Sequence, residues 1–196
     1  MSVVCSIYHL RNEDNKVGIC FFNTKSKKCT FFSLKTFSSK RNTIYKTAME
    51  LLKLIRTFKP TVIGIEVIEV LTMMQYYALT QVLLSLMIDK NELTEDMEVL
   101  FVYDKTITSA LRSYEVKAMG KVSSFFKIED VINAIKARFK IEIDEKHVNG
   151  FLIAMYLYYK DKPFGPYIYR KVDRHKSRFE FTDAVIKIDS YEVIVG

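Results

Sequence analysis

The chain has no tryptophan and only three prolines, six glycines, three cysteines and three histidines in 196 residues. Nowhere do the few glycines form the loop that cradles phosphates between a strand and a helix, and no Ser-His-Asp order is visible. Cys5, Cys20 and Cys29 are odd in number and unpaired in spacing. That excludes a disulfide framework and a Cys/His zinc site, and points to core thiols in a reducing, intracellular compartment, cytoplasmic or nuclear. Acidic charge is in deficit: 30 Lys and Arg stand against 23 Asp and Glu, for a net charge of +7 and a pI near 9.2. This balance favours an anionic partner, nucleic acid first and an acidic membrane surface second, against the plainer reading of solubility in a Lys-rich chain. No basic n-region opens the sequence, so no signal peptide is expected.

What is present suffices for one sizeable core. Apolar residues make up 49% of the chain, and its length fits one domain or at most two. The uncharged run Val70–Ile88 approaches the length of a membrane span. Thr72, Gln75, Thr80, Gln81 and Ser85 recur in it too often for a lipid-facing helix, and its flanks lack a basic bias. A helix over 72–88, buried against a sheet or partly in a subunit interface, is expected instead, with no membrane partner.

The periodicity reads as strands over 2–8, 17–23 and 29–35, a meander joined by polar turns. A helix over 43–58 places Ile44, Ala48, Leu51, Leu52, Ile55 and Phe58 on one face before Pro60 stops it. A short buried strand follows at 62–67, then the uncharged helix and a second buried strand at 97–103. Beyond a basic, mostly helical stretch from Lys105 to Lys127 come a helix over 130–139 and a strong helix in "EKHVNGFLIAMYLYYKD". Pro163, Gly165 and Pro166 then break the chain before a tail with alternating strand patterns. The order defines an α/β fold with a mixed sheet.

Within this order, "PTVIGIEVIEV" is costly. Glu66 ends an apolar core strand, and an ionised carboxylate there costs several kcal/mol of order unless a metal ion, a cation or solvent compensates it.

Three features resemble RuvC-type Holliday junction resolvases of the RNase H-like superfamily, and in particular the poxvirus-type branch. "TVIGIE" resembles the strand whose terminal Glu is a metal ligand in that family. "EKHVNGFLIAMYLY" is similar to its closing helix, and the order of elements matches over roughly 3–160. The resemblance implies an RNase H-like mixed five-stranded sheet with helices on both faces over 1–162; the alternating tail, beyond the matched part, is expected to form a C-terminal β-hairpin extension over 163–196 packed on the same domain. It also implies carboxylates converging on paired divalent cations that drive phosphodiester hydrolysis.

Against that pattern, Tyr8 stands where the first-strand Asp belongs, and Asn149 where the last Asp of the closing helix belongs. The preceding acid falls on Lys146 or, with a slip of one, on Glu145. The expected family positions Tyr8, Glu66, Glu145 and Asn149 therefore read as a degenerate site with no metal cofactor. Lys146 is expected to pair with Glu66 in place of the cation, and the Asn149 amide to hydrogen-bond the same carboxylate. The alternative is a working Mg²⁺ site built from Glu66, Glu145 and His147, with Asp104 as a further candidate ligand. A solvated Glu66 at a strand tip is the plainest reading.

Asp104, at another strand end, reads more readily as a helix N-cap. His9 and Tyr8 suit either the mouth of a nucleic-acid site or a structural role. Arg170, Lys171, Arg174, Lys176 and Arg178 surround His175 among Tyr167, Tyr169 and Phe179, a composition that fits a nucleic-acid surface or a solvated hairpin equally. Lys105, Arg112, Lys117, Lys121 and Lys127 form a second, sparser basic set.

The combined expectation is a pseudoenzyme that binds branched or duplex DNA, or serves as a scaffold in a DNA-processing assembly of viral source. Its alternatives are an active Mg²⁺-dependent endonuclease on branched DNA and a purely protein-binding subunit. Because resolvases of this kind dimerise through the helix after the Glu66 strand, a homodimer through 72–88 is expected, and other protein partners are compatible.

Overall fold

The structure is a computed structural model that describes residues 2–11, 13, 16–34, 41–68, 74–103, 128–159, 167–173, 176–181 and 190–195. Strands β1 (Val3–His9), β2 (Val17–Asn23) and β3 (Lys28–Leu34) form the antiparallel meander. β1 pairs with β2 from Val3 opposite Asn23 to His9 opposite Val17, and β2 pairs with β3 from Val17 opposite Leu34 to Asn23 opposite Lys28. The β2–β3 turn is held by Asn23, whose Oδ1 accepts from the N–H groups of Lys25 and Ser26, each at 3.0 Å.

Helix α1 (Arg41–Phe58) then returns the chain so that β4 (Val62–Val67) lies parallel to β1. A parallel pair needs such a crossover. Helix α2 (Met74–Asp89) performs the same service for β5 (Glu98–Tyr103), which runs parallel to β4. Helix α3 (Ile128–Phe139) follows, and a 3₁₀ turn at Glu145–His147 leads into α4 (Val148–Tyr159). β6 (Tyr167–Asp173) and β7 (Lys176–Phe181) pair with each other as an antiparallel two-stranded sheet. β8 (Ser190–Val195) runs parallel to β3. The main sheet is thus β5-β4-β1-β2-β3-β8. Its first five strands are those expected from the sequence, and β8 adds a sixth.

Alternation along the strands sorts side chains into two layers. Val3, Cys5 and Ile7 of β1 join Ile19 and Phe21 of β2 beneath the Ala48, Leu51, Leu52 and Ile55 face of α1 and the Leu79 and Leu83 face of α2. On the opposite side, Val4 and Tyr8 join Phe22 and Phe31 beneath α3 and α4. Helix α4 carries no charged residue and packs on β1, β2 and β4, burying Phe151, Leu152, Ile153, Ala154 and Met155. A helix apolar around most of its circumference belongs in a core, and this one forms the floor of the candidate site.

Cys5, Cys20 and Cys29 are free and buried in these layers, as the odd count suggested. Burial pushes the thiols of Cys5 and Cys20 well up, so both are protonated core groups. α2 buries Tyr76, Leu79, Thr80, Leu83 and Met87 but leaves Met74 and Ile88 75% and 60% exposed. Among the described residues, no helix is long and apolar enough to cross a membrane.

Candidate functional site

The carboxyl end of a parallel strand is where α/β sheets gather chemistry. β4 delivers Glu66 there, 2% exposed, one register step beyond the pairing of Ile65 with Ile7. Glu66 is buried rather than solvated. Its Oε2 accepts a 2.8 Å hydrogen bond from the backbone N–H of His9, and its Oε1 accepts a 2.6 Å hydrogen bond from the side-chain amide of Asn149. Donors aimed at both oxygens compensate the desolvation that made this residue costly in the sequence.

The expected Asn149–Glu66 contact is therefore present, whereas the expected Lys146–Glu66 pair is not. Lys146 lies on the 3₁₀ turn, where its Nζ stands 3.6 Å from Asp144 and 3.8 Å from Glu13. Asp144 caps that turn, accepting from the Lys146 N–H at 3.1 Å. Because the α-helix starts only at Val148, Glu145, Lys146 and His147 lack the α-helical spacing that would carry them to the face of Asn149. Glu145 turns instead to Arg11, 3.4 Å away.

His147 points into the core on the other side of Tyr8. The Tyr8 hydroxyl and His147 Nδ1 are 2.6 Å apart, and Ser33 Oγ lies 3.5 Å from Nε2. The imidazole is fully buried and its ring sits 5.1 Å from that of Phe31. Burial first, and the Lys146 charge second, push its pKa down to about 4, so the ring that shares a hydrogen bond with the Tyr8 phenol is neutral near pH 7. The alternative ligand set Glu66, Glu145 and His147 is not brought together, since each of the three is directed at a different partner.

Tyr8 is itself enclosed. Its ring lies against Gly18 of β2 and Gly150 of α4, and a Cβ added at either glycine would overlap ring atoms. Ser6, two residues earlier on the same strand face, donates to the Gly150 carbonyl at 2.6 Å and ties the start of α4 to β1. On the opposite sheet face, Tyr76 of α2 donates to the Ile7 carbonyl at 3.0 Å. Its pKa is pushed well up, by burial and then by the Glu66 carboxylate, so it stays a donor. The His9 ring packs edge-on against Tyr76, with centroids 6.3 Å apart.

A pair of divalent cations needs inward-facing oxygen ligands from these same strands and helix. Here β1 presents a phenol already engaged with His147, and α4 presents an amide N–H to Glu66. Among the described residues, no three His, Cys, Asp or Glu side chains cluster as metal ligands. The described residues at this strand end therefore do not fit the implied Mg²⁺ pair.

Of the sequence candidates, Glu66 and Asn149 are hydrogen-bonded to each other and Tyr8 to His147, whereas Glu145 and Lys146 are in ion pairs with Arg11 and Glu13. The His9 backbone, Ser33, Tyr76 and the two glycines were not singled out for these contacts by sequence. Asp104, Lys105, Arg112, Lys117, Lys121, Lys127, Arg174 and His175 lie outside the described residues. For Arg170, Lys171, Lys176 and Arg178, the backbone of β6 and β7 gives the positions.

The sheet order and its mixed polarity are consistent with an RNase H-like fold. The structure of Thermus thermophilus RuvC in complex with a Holliday junction substrate matches it with a TM-score of 0.53 at 14% identity, over 79% of this chain and 91% of that one. The yeast mitochondrial Holliday junction resolvase Ydc2 aligns with a TM-score of 0.45 at 14% identity, over 76% of this chain and 75% of that one. The fowlpox virus resolvase, solved with substrate Holliday junction DNA, aligns with a TM-score of 0.38 at 10% identity, over 83% and 99%. No family model matches the sequence, and neither does any curated protein.

Proposed function

We propose that this chain is a resolvase-fold protein that binds nucleic acid without metal-dependent cleavage. The observation that carries the reading is Tyr8. Where a first-strand carboxylate would bind both cations, a buried phenol is hydrogen-bonded to a neutral histidine and seated between two glycines. Both Glu66 oxygens accept from N–H donors, contacts that supply part of the compensation a cation would otherwise give, which supports the reading. The binding half of the reading rests on the net charge of +7 and on a fold whose RuvC neighbour was solved with a Holliday junction.

In this reading the site is a structural plug: Asn149 and His9 hold the Glu66 carboxylate, and Tyr8 and His147 fill the remaining space. No bond is broken there. Binding falls to basic surface elsewhere on the chain.

The test is a gel series with labelled four-way junction, flap and plain duplex, each with EDTA, Mg²⁺ or Mn²⁺. Retarded but uncut DNA, indifferent to metal, is the expected result. Metal-dependent symmetric cuts that vanish in Glu66→Gln would replace the proposal with an active endonuclease. No shift on any substrate at low salt would leave a protein-binding subunit.

A further inference from the structure

The pairing of β6 with β7 sorts this segment's residues into two sets. Tyr167 stands opposite Phe181 and Tyr169 opposite Phe179, so these four aromatic positions alternate onto one face of the ribbon. Ile168 stands opposite Glu180 and Arg170 opposite Arg178, on the other face. Lys171 is opposite Ser177, and beyond a register shift Asp173 is opposite Lys176.

The Arg170–Arg178 placement is unusual. Residues directly opposed across an antiparallel pair have Cβ atoms about 5 Å apart, and like charges at such positions oppose strand pairing. An anion between them reverses the sign of that contribution. Aromatic cross-strand pairs, in contrast, support pairing, and a two-stranded ribbon in water needs such support. The register thus sets aromatic positions opposite one another on one face, which Lys171 and Ser177 share, and sets the like-charged Arg170 and Arg178 opposite one another on the other, the face of Ile168 and Glu180.

We propose that the β6–β7 ribbon is a DNA-gripping arm, in which the opposed Arg170 and Arg178 take the backbone phosphates of B-form duplex DNA with the ribbon in the major groove. The inference rests on the nucleic-acid-binding reading above and names the element that would perform it. The major groove of B-DNA, about 12 Å wide, admits a two-stranded β-ribbon, whereas the A-form groove of duplex RNA is too narrow and deep. The register shift between Lys171 and Asp173 adds local twist, which helps a ribbon follow the groove. Guanidinium groups suit the task because they bind phosphate bidentately.

The experiment is a fluorescence-anisotropy titration of the full chain on a 20-base-pair DNA duplex at several salt concentrations, for the natural sequence and for Arg170→Gln/Arg178→Gln. Each phosphate contact contributes about 1 to the slope of log K against log salt. The double variant is expected to lower that slope by about 2 and to weaken binding alike on unrelated sequences. Its melting temperature without DNA is expected to be equal to or higher than that of the natural chain, because the variant removes an opposed like-charge pair. Each single variant is expected to lose about half as much slope, which covers a double variant that folds poorly. Duplex RNA of the same sequence should compete at least tenfold more weakly.

Unchanged slope and affinity in folded variants, with the natural chain binding well, would overturn the arm and leave the binding reading standing. RNA competing equally would overturn the major-groove placement. Failure of the natural chain to bind any duplex or junction would overturn both. Binding to anionic vesicles but not to DNA would do the same.

Discussion

The Tyr8 hydroxyl lies 2.6 Å from His147 Nδ1, joining the first strand to the turn before the closing helix through two buried side chains 139 positions apart. The pair joins two residues that the sequence offered as site candidates. Tyr8→Phe removes the hydroxyl, keeps the ring and leaves His147 Nδ1 without its partner. A buried polar atom left in this way costs about 1–3 kcal/mol. Urea denaturation is expected to show that loss with an unchanged m-value.

His147 also makes stability depend on pH. Its folded pKa is about 4, against about 6.5 when unfolded. Above pH 6.5 the ring is neutral in both states and the folded state bears no penalty. As pH falls from 6.5 towards 4 the unfolded state takes the proton first, so stability declines across that window and levels off below it. The shift corresponds to on the order of 2–3 kcal/mol after allowance for solvent screening. Denaturation midpoints between pH 7 and pH 4 should show the decline, and His147→Gln should remove this part of it.

The glycines beside Tyr8 make a coupled test. Gly150→Ala places a methyl group into the Tyr8 ring on α4, and overpacking of this kind costs about 1–3 kcal/mol. In the Tyr8→Leu background, where the ring is gone, the same substitution is expected to cost much less. A double-mutant cycle measures the difference, and additive costs would mean that the ring and helix do not share that space.

Glu66→Gln and Glu66→Ala should behave differently. The amide retains the size of the side chain and an acceptor oxygen, so its stability is expected to stay within about 1–2 kcal/mol of the natural chain. Alanine removes both acceptors, strands the His9 N–H and the Asn149 amide, and opens a cavity, for a loss of about 3 kcal/mol or more. Adding 10 mM Mg²⁺ is expected to leave the melting temperature of the natural chain unchanged. A rise that disappears in Glu66→Gln would indicate cation binding.

The expected homodimer can be tested at α2. Met74 and Ile88 expose large apolar side chains on that helix. Sedimentation velocity at micromolar concentration should give a dimer, and Met74→Glu/Ile88→Glu should shift it to monomer. Sedimentation only as monomer by the natural chain would remove this reading.

The strands and α1 were legible because their burial follows simple periods: alternation in β1–β3, and the Ala48, Leu51, Leu52, Ile55 repeat in α1. Glu66 was legible because a carboxylate ending an apolar strand conflicts with its surroundings. Its partners were only half legible. Asn149 followed from the family pattern, but a backbone N–H such as that of His9 has no sequence signature. The Lys146 pairing failed because helical spacing was extended across Glu145–His147, which the Asp144 cap holds as a 3₁₀ turn. Tyr8–His147 is a long-range contact without local signal. Gly18 and Gly150 hinted at it only in retrospect, as missing side chains where a ring had to fit.

The pairing of β8 with β3 bears on how the chain folds. Strand Lys28–Leu34 leaves the ribosome early, yet its outer edge receives Ser190–Val195 only after every other described element has been made. During synthesis that edge is open, with unpaired peptide groups and the apolar Phe31 and Phe32 nearby, the condition under which sheets associate wrongly. A contact so distant in sequence forms slowly and carries a large loop-closure cost. Lys28 at the start of the strand places a charge beside that temporarily open edge. Quick engagement by a chaperone or a second subunit would therefore benefit the nascent protein more than the finished one.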